Sequence, residues 1–303
     1  MYSIRESRLG QYLYCMVQLS NERISVSIHP DGAELRSLTH NVNGRQYLWS
    51  GDPAYWGKYS PVLFPFVGSL KDGRYTYEGK SYPMGRHGFA REKTFEAEVV
   101  DHREARFTLE DDESTRAVYP FPFRLSITYQ LRGPILGVTY KVDNSGDGIM
   151  WFCIGAHPAF AVPNAPVLRY DDYFLDFNES EVVERWELEG GLLKKEPSPF
   201  LNGRSRILLS KDLFAKDAIV LKGLRSSTIT VATTYDTHGF RFNMEGWPYL
   251  GLWAASGADF LCIEPWQGHA DHLDDPYDIT QKEGVVALES GRSWSRNWWV
   301  ELF

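Results

Sequence analysis

The sequence predicts an all-β protein, a large β-sandwich, from three observations. Apolar residues recur with a period of two along much of the chain. Helical periodicity is scarce and short. No linker, internal repeat or low-complexity tract divides the 303 residues. That length is normal for one large sandwich. It also buries enough apolar surface to fold without a disulfide or a structural metal.

The elements follow in order. Residues 1–16 are set apart as a disordered or extended N-terminal segment, because the strand pattern begins only after Met16. Residues 17–303 are read as one domain. Ile24, Val26 and Ile28 alternate with Ser25, Ser27 and His29, the pattern of a half-buried strand. Leu125, Ile127 and Tyr129 alternate with Ser126, Thr128 and Gln130. Val138, Tyr140 and Val142 alternate with Thr139 and Lys141, and the run stops in the turn-forming Asp143-Asn144-Ser145-Gly146-Asp147-Gly148. A strand is expected at residues 151–154, and another where Ile229 and Val231 alternate with Thr228 and Thr230. One or two helical turns are expected near residues 211–216.

Composition narrows the function classes. Aromatic residues make up 15% of the chain, with ten Trp. They fit the core of a sandwich, and equally a site where flat rings cover the C–H faces of a sugar. The net charge of −8, with no basic run, argues against nucleic acid as a partner. No stretch approaches the ~20 apolar residues that span a bilayer, so no membrane partner is expected. The N-terminus carries Arg5, Glu6 and Arg8 and lacks the apolar centre of a secretion signal. Cys15, Cys153 and Cys262 have no paired spacing and read as reduced thiols. Together these features predict a cytoplasmic protein.

Three segments each set a titratable residue among small, proline or aromatic neighbours. They are Gly85-Arg86-His87-Gly88-Phe89-Ala90-Arg91, Ile154-Gly155-Ala156-His157-Pro158-Ala159-Phe160, and Cys262-Ile263-Glu264-Pro265-Trp266-Gln267-Gly268. Arg86 and Arg91 would depress the pKa of His87 and offer donors to hydroxyls or phosphate. Pro158 stiffens the chain beyond His157. Glu264 stands among apolar residues, where desolvation raises a carboxyl pKa toward the range of a general base. Each could instead be structural, as a hydrogen-bonded His or a paired Glu. His269, Asp271, His272, Asp274 and Asp275 crowd another segment and contain metal-ligand types. Their spacing matches no helical HExxH arrangement and the Asp-Asp-Pro run reads as a solvated loop, so no metal site is expected. There is neither a G-x-S-x-G elbow nor a G-x-G-x-x-G loop.

The runs Phe64-Pro65-Phe66-Val67-Gly68, Arg86 to Arg91, Gly155 to Phe160 and Ile263-Glu264-Pro265-Trp266, with Gly32-Ala33-Glu34-Leu35 near the start, resemble the aldose 1-epimerase family and its LacX-like branch. The likeness runs from about Val17 to the C-terminus, with the motifs in the family's order. It implies the galactose mutarotase-like supersandwich, an open sugar cleft, no cofactor, and interconversion of the anomers of a hexose. By the same resemblance, Glu264 matches the base that takes the proton from the C1 hydroxyl. His157 matches the acid at the ring oxygen, and His87 the second His that positions the sugar. Asp217 matches the sugar-binding Asp, with looser flanks, and Trp253 and Trp266 are cleft walls or core aromatics. Two departures stand out. Arg86 and Phe89-Ala90 replace an Asn and a second Gly around the first His. Ser69 stands near where the branch often carries Arg, a role left to Lys71 or Arg74. Arg86, Arg91, Lys71 and Arg74 would also suit a phosphosugar, through bidentate phosphate binding. The expected partner is therefore a small sugar, a hexose or a hexose 6-phosphate, bound by a monomer or homodimer. A non-catalytic sugar-binding protein on the same scaffold is the remaining alternative.

Overall fold

The computed structural model describes residues 16–303. Of the segment set apart as 1–16, only Met16 falls within it, and Cys15 lies outside the described residues. The expected all-β architecture is observed. One antiparallel sheet runs in the order Val62–Leu63, Ile154–Ala156, Phe260–Gln267, Tyr249–Trp253, Ile219–Lys222, Tyr173–Trp186, Thr228–Thr233, Phe240–Asn243, Ser293–Leu302, Ile135–Asn144, Phe123–Arg132, Glu104–Glu110 and Glu96–Val99. Ser198–Leu208 and Ala159–Ala161 pair onto it from outside that path. A separate four-stranded sheet, Val17–Ser20, Ile24–His29, Glu34–His40 and Arg45–Gln46, caps one side.

The long sheet packs against itself. Phe64 lies 5.1 Å from Phe123, and Phe160 stacks on Phe240 at 4.4 Å (ring centroids), so residues from its two ends meet in one core. This is how alternation becomes a sandwich: each strand turns one apolar face inward, and a curled sheet lets those faces cover one another. Ile135–Asn144 carries the pattern most clearly, with Leu136, Val138, Tyr140 and Val142 buried. Tyr129 Oη donates to Ala33 O at 2.7 Å and ties the four-stranded sheet to the large one.

The structure departs from the sequence expectations in two places. Residues 151–154 are not one strand. Met150–Phe152 pairs with Val286–Leu288, whereas Ile154–Ala156 joins the large sheet, and Cys153 N–H donates to Pro65 O at the break. The helical turn expected near residues 211–216 is observed as a single 3-10 turn, Lys211–Phe214. A short α-helix, Glu113–Val118, was not expected; Asp112 and Thr115 cap it reciprocally.

Candidate active site

Phe260–Gln267 lies third in the long sheet, buried along nearly its whole length. Its period of two turns Glu264 and Trp266 to the same face, where both line a cavity of about 150 Å³. The neighbouring strands complete the floor with Trp253 and Val220. Trp266 fits because two glycines stand beside it. A Cβ on Gly251 would come within 2.5 Å of the indole, and one on Gly155 within 2.6 Å. Gly251 pairs with Glu264 and Gly155 with Trp266, so this bare backbone lies on both sides of the carboxylate strand.

His157 follows the short strand Ile154–Ala156 and is brought over the same face. Its Nε2 lies 3.3 Å from Glu264 Oε2. Trp56 stacks on its ring at 4.9 Å, and Trp253 and His87 meet it edge-on at 5.7 Å each. His87 has a left-handed backbone, and Gly88 follows because a Cβ there would strike Phe64 O at 2.2 Å. Gly68 N–H donates to His87 Nδ1 at 3.0 Å. That nitrogen is therefore unprotonated in the neutral ring, and Nε2–H is left as the donor.

The electrostatics are those of a secluded carboxyl–imidazole pair. Glu264 is 1% exposed. Burial, with Asp217 adding to it, holds its carboxyl well above the usual carboxylate range. Burial lowers His157 to about 3. His87 is held well below the ordinary imidazole range by burial first, then by His157, Arg91 and Arg86. Three buried polar atoms here make no hydrogen bond: His157 Nδ1, Glu264 Oε2 and Trp266 Nε1. Unsatisfied groups are rare in native interiors, and these three belong to residues that line one cavity.

The structure brings together Glu264, His157, His87, Asp217, Arg86, Arg91, Trp253 and Trp266 around this cavity. Asp217 stands at its exposed rim with a left-handed backbone, its Oδ1 accepting from Ala218 N–H. Lys71 and Arg74 are a correction: neither lines the cavity. The chain turns at Lys71–Gly73 and carries both onto Tyr277, with Lys71 Nζ donating to Asp275 O. The cation near Ser69 is Arg86, whose Nε donates to Ser69 Oγ at 2.9 Å. Arg91 Nη2 in turn donates to Arg86 O. Sequence reasoning missed Trp56, which no local pattern marks. It also missed the hairpin of Leu188–Glu189 and Leu192–Leu193, whose Leu188 and Gly191 close one side of the cavity. Paired glycines at 190 and 191 were the available signal for that hairpin.

The crowded His/Asp segment is also rearranged. Asp271 pairs with Lys282, Asp274 with Lys195, and Asp275 accepts from His272 N–H. The aspartates thus leave His269 and His272, which meet Glu283 instead.

The family model described as Aldose 1-epimerase matches residues 16–287. The chain is 32% identical over 282 residues to the chromosomal LacX protein of Lactococcus lactis subsp. lactis, covering 90% of this chain and 94% of that one. A galactose mutarotase related enzyme from Lactobacillus acidophilus superposes with a TM-score of 0.91 at 33% identity, covering 95% of this chain and 97% of that one. A galactose mutarotase-like protein from Lactobacillus casei superposes at 0.90 with 29% identity, covering 95% and 100%.

Proposed function

The chain belongs to the aldose 1-epimerase family, and from that premise we propose that it interconverts the α and β anomers of a hexose by acid/base ring opening. The observation that carries this reading is the His157–Glu264 pair, 3.3 Å apart and with an unsatisfied polar atom on each partner, at the wall of a sugar-sized cavity.

The chemistry follows from the protons. In the reactive state one proton sits on His157 and Glu264 is a carboxylate. Glu264 takes the proton from O1, the C1–O1 bond gains double-bond character, and the C1–O5 bond breaks. O5 receives the proton of His157. Rotation about C1–C2 offers the other carbonyl face, O5 re-attacks, and both protons return. Burial alone favours the neutral pair, with the proton on Glu264. Sugar hydroxyls donating to the Glu264 oxygens would draw the pair into its reactive form. His87, with Nε2–H free, is the donor that holds the ring oxygen side. Each well-placed proton transfer is worth roughly 10²–10⁴-fold. The same reading carries a cytoplasmic setting, in keeping with Cys153 and Cys262, both buried as free thiols.

A second reading, a hexose 6-phosphate as substrate, is favoured by the two guanidinium groups of Arg86 and Arg91 at one cavity. The test of the main reading is polarimetry or NMR on freshly dissolved α-D-glucose and α-D-galactose. Acceleration by the protein, reduced at least about 10²-fold in Glu264→Gln and in His157→Asn, supports it. Equal rates in the folded variants would remove the acid/base pair from the mechanism. Binding of sugar without acceleration would make the protein a non-catalytic binder.

A further inference from the structure

His269, His272 and Glu283 meet behind the cavity, on the segment that carries Ala270 to its wall. The tautomers of both rings follow from their partners. His269 Nδ1 faces Ala270 O at 2.7 Å, and His272 Nδ1 faces Lys194 O at 3.1 Å. A carbonyl only accepts, so each Nδ1 carries the proton and, in the neutral ring, each Nε2 presents a lone pair. Those two lone pairs converge on one carboxylate. Glu283 Oε2 is 3.2 Å from His269 Nε2 and 3.7 Å from His272 Nε2. His269 is fully buried, and its Nε2 makes no hydrogen bond. Three acceptors facing one another repel unless a proton or a cation stands among them. Lys222 supplies one in part, with Nζ 2.8 Å from Glu283 Oε2 and 3.2 Å from His272 Nε2.

We propose that His269 Nε2, His272 Nε2 and Glu283 form a binding site for a zinc-class divalent cation, with the ammonium of Lys222 as its built-in competitor. Zinc binds imidazole and carboxylate at about 2.0–2.2 Å, which sets neighbouring ligands of a tetrahedral ion roughly 3.3–3.5 Å apart. The two distances to Glu283 bracket that spacing. Protonated Nδ1 atoms directed at backbone carbonyls are the outer-shell arrangement that fixes a metal-binding imidazole. Tyr249 meets His269 edge-on at 4.8 Å, and Trp186 meets His272 edge-on at 4.9 Å, so both rings are held in place by packing. Lys222 lies against Trp186 with its side chain 16% exposed, leaving a route by which the ammonium can withdraw to solvent. Glu283 is half-exposed, which opens the fourth position to water. The ion would tie the two ends of the 268–284 segment to each other. No step of ring opening passes through it.

The test uses the full chain and zinc chloride, with affinity read by calorimetry and stability by thermal melting. Wild type is expected to bind one ion and to melt higher with it. Lys222→Met should bind at least about tenfold more tightly, because the ion no longer displaces charge-assisted hydrogen bonds. His272→Ala should lose the binding. Its near-ultraviolet dichroism separates a lost ligand from a lost fold. Cobalt(II) distinguishes this site from the cavity, where His157, Cys262 and Glu264 also stand within ligand distance of one another. An ion on two imidazoles and a carboxylate gives no thiolate-to-cobalt charge-transfer band; an ion in the cavity would. Unchanged affinity in Lys222→Met, full binding in folded His272→Ala, or a dominant thiolate band would each overturn the proposal.

Discussion

Replacing Gly251 by Ala tests whether Trp266 is a wall of the site or only core filling. Gly251 has no left-handed backbone, so alanine can adopt its conformation and the cost is steric. The new Cβ would lie 2.5 Å from both Cη2 and Cζ2 of the indole, where ordinary contacts begin at 3.4 Å. The ring must therefore move by about 1 Å or the strands must part. It has little room to retreat, because the opposite end of the indole already presses on Gly155. The remaining direction is into the cavity. Overpacking of this kind costs about 1–3 kcal/mol of stability, and a displacement of about 1 Å in a catalytic site can cost roughly 10²-fold in rate. Thermal melting and kcat/KM from polarimetry read the two effects separately. The partner variant is Trp266→Phe in the Gly251→Ala background. Phe lacks the benzo atoms that clash, so the double variant should recover stability relative to Gly251→Ala. A Gly251→Ala protein with wild-type melting and wild-type kcat/KM would refute the placement of Trp266 against both the glycines and the substrate.

Other perturbations address the charges. The reactive pair keeps one proton, which burial places on Glu264 in the free protein, so kcat/KM should fall as pH rises through an apparent pKa above the usual carboxylate range and strips that proton; a falling limb at the ordinary Glu value would contradict its burial. The same group links stability to pH. Its folded pKa lies above its unfolded one, so its contribution is complete below the ordinary Glu value of 4.5 and is lost as pH rises through the folded value. Glu264→Gln removes that loss, and its stability relative to wild type should grow as pH rises in chemical denaturation, whereas a flat difference would count against a buried, raised carboxyl. Arg86→Ala, at an exposed position, should raise KM for a hexose 6-phosphate by roughly tenfold to a hundredfold if the phosphosugar reading holds, with a smaller effect on the free hexose. Arg74→Ala should leave steady-state kinetics unchanged, because Arg74 lies on Tyr277 and off the cavity.

Much of the fold was legible because a half-buried sheet writes its geometry into local order. Ile135–Asn144 and Phe123–Arg132 each bury alternate residues, and their sequences alternate accordingly. What local order does not encode is which strands meet. Val62–Leu63 and Ile154–Ala156 are two and three residues long, too short to display a period, yet they form the edge that holds His157. Cys153 could not be recognised as a break either, since the chain there stays apolar while it changes sheets.

The site divides along the same line. Glu264, His157 and His87 stand out in sequence because a titratable group amid apolar or glycine-rich neighbours is costly without a purpose. Trp56 and Glu283 do not stand out, because each acquires its role from residues distant in the chain: Trp56 by stacking on His157, Glu283 by facing His269 and His272. Lys71 and Arg74 were drawn toward the site by their nearness to Gly68 and Ser69, and a turn of three residues carries them away. Gly155 and Gly251 lie between these cases. A glycine inside a strand announces that something approaches the backbone closely. Only the sheet order reveals that both make room for one indole, and that this indole stands on the same strand as the buried carboxylate. Composition thus marks where packing is exceptional, and topology decides whether the exception belongs to the core or to the chemistry.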